Sequence, residues 1–500
     1  MTDDRKTCLS SLEADVVIVG CGPVGALLGN LLGLQGIRVV ILDREAAAYH
    51  LPRAVQFDAE VMRLLQTAGL AKEMEPLLRV VPGMRFIDDE GRLLLDWARP
   101  IERGPQGWHE SYRFHQPELE ALLRAGLARF ATITQRYHAE VYAITQSETD
   151  ATVQYEDLNS GKLFTCKAAY VVGCDGARSL ARRLIGKPLD DLGFNERWLV
   201  VDVLLLHPCP DLGEHAVQFC STQRPATYIR GTGDRRRWEI AVLPGDDEAR
   251  LIQPSTVLDL LKRWVKPEDV RIERAALYTF RSAVAARWRD RRLLIAGDAA
   301  HLTPPFLGQG MCAGMRDAGN LAWKLGRVLH GLNDTALLDS YQSERIPHVR
   351  EYIELAIKLG GLINTTAMAG AVPESALDDR EVMKMRSIKP KLGAGVAAEW
   401  RMGPLRTIAR QTCLDDGHWQ DDAAGYRYAA LLTPGLAAQL PAALRTRLEA
   451  RDVALLEGED AQPQAWLREL GAAGVLVRPD RYVLGTVNSV QDLDALSTLI

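Results

Sequence analysis

Residues 14–20 read ADVVIVG. After Asp15 the run is apolar without interruption, the pattern of a strand buried on both faces of a parallel sheet. Gly20, Cys21, Gly22, Pro23, Val24 and Gly25 interrupt it, and residues 26–34 continue as an apolar helix. Residues 37–42 form a second β-branched strand that ends at Asp43. Two later apolar strands end in similar corners. Residues 169–173 (AYVVG) run into Cys174, Asp175, Gly176, Ala177, Arg178 and Ser179, then a basic helix with Arg182 and Arg183. Residues 291–296 (RRLLIA) run into Gly297, Asp298, Ala299, Ala300 and His301. A turn through Pro304, Pro305, Gly308, Gly310 and Met311 then opens a long helix reaching Leu329. Between these segments, β-rich alternation predicts strands over 85–97, 199–206, 217–219, 227–230 and 238–243, a second sheet laid over the first layer.

The uncharged stretch 16–37 is long enough to suggest a membrane span or signal peptide. Six glycines and Pro23 lie within it, and Asp3, Asp4, Glu13 and Asp15 flank it, so a strand, a turn and a buried helix explain it better. Length and charge narrow the classes further. A chain of 500 residues predicts two to four domains. Sixty Lys and Arg against 65 Asp and Glu give a net charge of −5, with no general pull toward nucleic acid or an anionic membrane. The eight cysteines show no CxxC spacing, so neither a structural zinc site nor a thioredoxin-type redox pair is expected, and a cytoplasmic location fits. No metal site is expected.

Each part of the first corner has its own physical reason. Gly20 permits the tight turn, Gly22 lets backbone approach a pyrophosphate, and Gly25 allows helix and strand to pack closely. The helix N-terminus offers amide donors to phosphate, and Asp43, 18 residues past the last glycine, can accept a ribose hydroxyl. That fingerprint serves NAD and FAD alike. The Asp175–Gly176 pair is also a common turn. Asp298 can bind sugar-like hydroxyls, and the amides near 308–312 can face an electron-rich ring edge. A relaxed match at residues 393–398 lacks a preceding strand and reads as a loop running into a helix.

Taken together, the Gly20–Gly25 turn, Cys174-Asp175-Gly176 and Gly297-Asp298 resemble the three-motif signature of class A, single-component FAD-dependent aromatic hydroxylases. Pro52-Arg53-Ala54 and the run from Gln116 to Glu120 look like further family motifs. The nearest subgroup in appearance is the 3-(3-hydroxyphenyl)propionate hydroxylase type. The resemblance implies an α/β fold: a Rossmann-like FAD-binding domain (1–75, 105–185, 285–365) interleaved with a β-sheet substrate domain (76–104, 186–284). It further implies that Gly20, Gly22, Pro23, Val24, Gly25, Asp43 and Arg44 hold the ADP half of FAD. Arg53 and Gln116 would meet its phosphate and ribityl region, and Gly297 and Asp298 the ribityl chain. Pro305, Gly308, Gly310 and Met311 would lie near the isoalloxazine. Asp175, Gly176 and Arg178 would serve both FAD and the reduced nicotinamide. Residues 366–405 read as a linker. Residues 406–500, with a strand at 453–456, a helix at 464–470 and a hairpin across 478–481, look like the thioredoxin-like domain of such relatives. Cys413 is its sole cysteine, so scaffolding or oligomer formation is expected there rather than redox work.

The reaction implied is hydroxylation of a phenol or related aromatic, with NADH or NADPH and O2 as co-substrates and a flavin C4a-hydroperoxide delivering oxygen. A catalytic base would raise ring nucleophilicity. The sequence picks none: His215, Tyr228 and His207 lie in the expected substrate sheet, and Pro305 at its edge. His301 reads as structural. The expected partner is a small aromatic substrate, with a homodimer left open. Alternatives are an epoxidase or Baeyer–Villiger oxygenase of a polyketide, separable by product mass, an NAD-dependent dehydrogenase, separable by turnover without O2, and a nucleotide-sensing binding protein. None of the ten tryptophans lies in the WxWxIP motif of flavin halogenases.

Overall fold

The computed structural model describes residues 11–47, 51–363, 383–385, 387–396, 398–414, 417–458 and 461–500. Its centre is a parallel layer ordered Leu293–Ile295, Lys162–Gly173, Ser11–Val19, Val39–Leu42 and Ile133–Arg136. The apolar runs explain this layer: Val16, Val17, Ile18, Leu294 and Ile295 are fully buried. Helices Pro23–Gly33 and Gly310–Leu329 pack against one another over it. A meander of Ala139–Gln146, Ala151–Asp157 and Lys162–Gly173 extends it antiparallel.

The second sheet has nine strands, ordered His301–Leu302, Val270–Ala285, Leu189–Leu205, Arg235–Ala241, Ala226–Arg230, Ala216–Phe219, Gly83–Ile87, Leu93–Ala98 and Met383–Lys384. It departs from the sequence expectation in three places. The run 85–97 is a hairpin rather than one strand, because Asp88 Oδ1 accepts the amides of Glu90 (3.1 Å) and Arg92 (2.8 Å) and turns the chain. The strand at 199–206 begins earlier, at Leu189, with register shifts after Asp191 and Asp202. Its long partner Val270–Ala285 was not anticipated. The sheet has two different faces. Phe194, Trp198, Phe86 and Trp97 pack toward Phe306, Leu307 and Tyr352. Leu199, Val201, Tyr228 and Trp238 pack with Val257 and Leu261 of the helix Pro254–Leu261. Among the described residues no helix follows 393–396; Gly393 and Gly395 instead press on Ser343 and Glu344 of the helix Asp339–Ile363.

The C-terminal unit holds a four-stranded sheet ordered Val453–Glu457, Tyr428–Leu432, Gly474–Val477 and Val483–Val487. The first pair is parallel, and Gly474–Val477 is antiparallel to both of its neighbours. The turn between the last two strands is buried, since it projects into the first layer rather than into water. Arg478 grips Glu344 with both Nη atoms (2.8 Å each), and Lys324 Nζ meets Glu344 Oε2 at 2.6 Å. Asn320 donates to Glu344 and to Asp480. Nearby, Arg63 donates to both oxygens of Asp421 (2.8 and 3.0 Å), which Arg481 also meets at 3.3 Å. Among the described residues, no helix is long and apolar enough to cross a membrane.

Candidate active site

Backbone sterics build the first corner. Gly20 has φ +99°, and a Cβ there would lie 2.5 Å from the Cys174 carbonyl oxygen. A Cβ on Gly25 would meet the Gly20 carbonyl oxygen at 2.0 Å. Gly22 differs: a Cβ there would meet nothing within 4 Å, so its outer side is open. Pro23 and Val24 begin the helix, whose N-cap is Gly22, and no side chain caps its first amides. Asp43 closes the rim: Oδ2 accepts the Cys21 amide (2.6 Å) and Oδ1 the Glu45 amide (2.8 Å). Arg124 donates to the Cys21 carbonyl (3.1 Å) and reaches Asp43 at 3.5 Å. The arrangement fits a dinucleotide: uncapped amides, an open glycine face and a carboxylate share one rim.

The other two corners converge on this turn. The Cys174 amide donates to the Val19 carbonyl (2.8 Å), and the Ala296 amide to the Gly173 carbonyl (3.0 Å). A Cβ on Gly297 would lie 2.9 Å from Val24. Arg182 ties the corners together, donating to the carbonyls of Ala177 (2.7 Å) and Ala299 (3.0 Å). Asp175 commits Oδ2 to the amides of Leu180 and Ala181 (2.7 and 3.2 Å), the start of a short helix, while Gly176 turns at φ +74° and Arg178 is exposed. Asp298 is exposed. Crowding by protein raises its carboxyl above the ordinary value, against the pull of His301, Arg53 and Arg182.

The Pro52–Ala54 loop is gripped from two sides. Gln116 Oε1 accepts the amides of Arg53 (2.9 Å) and Ala54 (2.6 Å), while its Nε2 donates to Glu120 (2.7 Å). From the nine-stranded sheet, Arg237 donates to the Arg53 carbonyl (2.7 Å), and Arg274 to the Pro52 carbonyl (2.7 Å). Asp202 pairs with both arginines, and Glu239 stands 3.8 Å from Arg237. Arg44 is exposed at the rim and pairs with Glu45 at 3.0 Å.

Beyond the third corner, Pro305 begins a short turn that ends with Gly308 at φ +63°. Gly310 and Met311 then open a 20-residue helix with no side-chain cap. Behind that end, Arg316 meets Asp58 and pairs with Glu60 (2.6 Å), and Gln309 donates to Asp58 (3.1 Å). Burial raises the Asp58 carboxyl, but Arg316 and Gln309 outweigh it and hold it below the ordinary value. Against this end lies a partly open pocket, lined by Trp97, Leu307, Tyr352, Leu355 and Ile388 together with charged side chains that include Asp58, Glu60, Arg99, Glu110, Arg316 and Lys389.

Residues 13–356 match the model of the FAD-binding domain family. The chain belongs to the class A FAD-dependent aromatic hydroxylases. It is 34% identical over 506 residues to a probable NADH-specific resorcinol 4-hydroxylase of Rhodococcus jostii (strain RHA1), with 97% of this chain and 94% of that one covered. It is 38% identical over 373 residues to 3-(3-hydroxy-phenyl)propionate/3-hydroxycinnamic acid hydroxylase 2 of Burkholderia vietnamiensis (strain G4 / LMG 22486), covering 74% of this chain and 66% of that one. In fold it is similar to the flavin-dependent monooxygenase PieE, solved with FAD and substrate, at a TM-score of 0.81, 20% identity and 98% of both chains. Aklavinone-11 hydroxylase, solved with FAD and aklavinone, follows at 0.79 and 20% identity, over 97% of this chain and 98% of that one.

In this hydroxylase the suggested catalytic side chains fall away from the cavity, with one neighbour. Tyr228 lies on the opposite face of the sheet, its ring 5.2 Å from Trp238, because strand alternation turns it toward the helix Pro254–Leu261. His215 precedes the strand Ala216–Phe219 and lines neither described cavity. His207 is exposed and pairs with Asp269 at 3.2 Å. Pro305 stands two residues from the lining Leu307. His301 is fully buried, 2.7 Å from Asp317, which Arg345 holds from the other side at 2.8 Å. Sequence reasoning missed Arg124, although Gln116, Glu120 and Arg124 are spaced four apart on an otherwise apolar helix face. It also missed Arg99 and the Asp58–Arg316 pair, for which no local pattern gives a signal.

Proposed function

We propose that this hydroxylase, with NADH and O2 as co-substrates, hydroxylates a small phenol bound in the cavity beside Leu307 and Gln309. One observation carries the reading: the cavity abuts the uncapped end of the helix Gly310–Leu329, and its wall sets Trp97, Leu307, Tyr352, Leu355 and Ile388 beside polar and charged side chains, a mixed lining that suits a ring bearing hydroxyls. Gly20, Gly22, Gly25 and Asp43 would hold the ADP half of FAD, Arg53 and Asp298 its middle, and the amides at Gly308, Gly310 and Met311 its ring edge. The open Gly22 face and the accessible Asp298 support this. Arg44, exposed at the same rim, stays with the ADP half, while Gln116 acts by positioning the Arg53 loop. Asp175 keeps one oxygen for its helix, so a nicotinamide role would fall to the other oxygen. When bound, FAD supplies the redox and oxygen-activating chemistry. The chain orients the phenol against that ring and shields it from water behind Trp97, Leu307, Tyr352 and Leu355. No histidine is among the residues lining this cavity; Asp58, Glu60 and Glu110 offset Arg316 and Lys389, so Arg99 is the lining cation left to favour a phenolate. The NADH preference rests on the resorcinol 4-hydroxylase relative. The strand order and directions of the C-terminal sheet support reading residues 406–500 as a thioredoxin-like scaffold.

The test is a panel of phenols scored for both NADH consumption and hydroxylated product. Stimulation by a phenol with matching product supports the reading. Oxidised cofactor without any hydroxylated aromatic across the panel overturns it.

A further inference from the structure

Of the cations lining the cavity beside Leu307, Arg99 alone makes no ion pair among the described residues, although Asp58 and Glu110 act on it from a distance. Arg99 directly follows the strand Leu93–Ala98, its amide donates to the Pro82 carbonyl (2.8 Å), and the residue is only 8% exposed. Its guanidinium lies 4.4 Å from the Trp97 ring centroid. Among the described residues, no side-chain hydrogen bond or ion pair engages it. The lining carboxylates are already committed. Asp58 serves Arg316 and Gln309. Glu60 serves Arg316 and the Tyr482 hydroxyl (2.8 Å). Glu110 takes Lys389 Nζ (2.9 Å).

A buried guanidinium with no partner is costly and is retained where something else supplies the negative charge. Stacking on Trp97 fixes its plane but neutralises nothing. A second buried cation deepens the demand: burial, and then the charge of Arg99, pull the pKa of Arg113 down to about 9. Two neighbouring polar atoms on lining residues, Trp97 Nε1 and Gln106 Oε1, also lack protein partners. The rest of the wall is suited to a ring: Leu307, Leu355, Ile388 and Tyr352. A ligand that satisfies all of this has an aromatic body and an acidic arm.

We infer that Arg99 anchors a carboxylate carried by the aromatic substrate, so that a phenol with an acidic side chain is preferred to a neutral diphenol. This deepens the proposed function and rests on its assignment of the cavity. A planar guanidinium suits such an arm because two parallel N–H donors match two carboxylate oxygens.

The experiment uses the FAD-loaded protein without oxygen and follows the flavin absorbance on titration. The ligands are 3-(3-hydroxyphenyl)propionate, its primary amide, and resorcinol. The acid is expected to bind about 10- to 100-fold more tightly than the amide, the span of a charge-assisted hydrogen bond. Arg99→Gln is expected to bring that ratio to about one, and Arg99→Lys to restore part of it. Equal affinity for acid and amide in the unmutated protein overturns the inference without any variant, so a misfolded Arg99→Gln leaves it testable. Equal loss of both ligands in Arg99→Gln also overturns it, marking a structural residue. If resorcinol perturbs the flavin while the acid has no advantage over its amide, the cavity assignment stands and the anchor falls. If no aromatic perturbs the flavin, both fall.

Discussion

Gly22→Ala and Gly25→Ala separate a phosphate cradle from a merely structural turn. At Gly22 the backbone is extended (φ −72°, ψ −172°), and an added methyl meets nothing within 4 Å. Alanine is therefore accommodated without strain, and lower unfolded-chain entropy should stabilise the FAD-free protein by about 0.4–1 kcal/mol. The same methyl occupies the face from which a pyrophosphate would approach. If it overpacks that contact by about 1–3 kcal/mol, FAD affinity falls about 5- to 150-fold. Gly25 is the reverse. Its methyl would sit 2.0 Å from the Gly20 carbonyl oxygen, so helix and strand must separate. A loss of about 3 kcal/mol or more is expected before any cofactor is considered. The assay is a pair of measurements on deflavinated protein, a urea midpoint and an FAD titration by fluorescence quenching. FAD affinity within twofold of the parent in Gly22→Ala would refute the argument that the open face meets phosphate. A Gly25→Ala protein as stable as its parent would refute the close-packing argument.

Three further outcomes follow from buried charge. Asp298→Asn should weaken FAD binding with little change in the urea midpoint of the FAD-free protein, since the residue is exposed; unchanged flavin content would remove the assignment. Glu344→Gln should cost about 3 kcal/mol by urea denaturation, because Arg478 and Lys324 are left with Asp480 alone. In the native protein, burial raises the Glu344 carboxyl, but Arg478 and Lys324 outweigh it and hold it well below its ordinary 4.5. That stabilisation is present above pH 4.5 and is lost as the pH falls toward the lower folded value, so stability below pH 4.5 should fall less steeply in the variant. Asp202→Ala should leave Glu239 as the carboxylate facing Arg237 and Arg274 and lower both the urea midpoint and FAD affinity, although Asp202 lies outside the proposed FAD-contact residues.

What could be read in the sequence was what local chemistry fixes. Residues 16–19 and the strand Leu293–Ile295 are buried on both faces and are continuous apolar runs. The corners that follow them needed glycine for steric reasons visible in the order of residues. The strand Val270–Ala285 escaped notice because Arg271, Glu273 and Arg281 face outward among alanines and blur the alternation. Tyr428–Leu432 escaped because five buried residues with no polar phase look the same in a strand and in a helix. Alternation identified the strand holding Tyr228 but not which of its two faces meets the cavity. Arg99 was illegible for a different reason: lack of a partner depends on how Arg316 and Lys389 engage the neighbouring carboxylates, and that is a property of the folded chain alone.

The Pro52–Ala54 loop explains why two layers form one site. Its amides are held by Gln116 from the FAD-binding layer, and its carbonyls by Arg237 and Arg274 from the nine-stranded sheet. Arg53 is thereby set by both layers at once, and its charge is felt at Asp298. Each grip is a hydrogen bond to backbone, which fixes the loop whatever its side chains do. The carboxylate that pairs with the two arginines, Asp202, sits in a strand whose inward face, through Trp198, packs near the cavity. Two salt bridges and two backbone carbonyls thus link that strand to Arg53. The coupling needs no moving domain, because a rigid sheet and a short loop share the same charges.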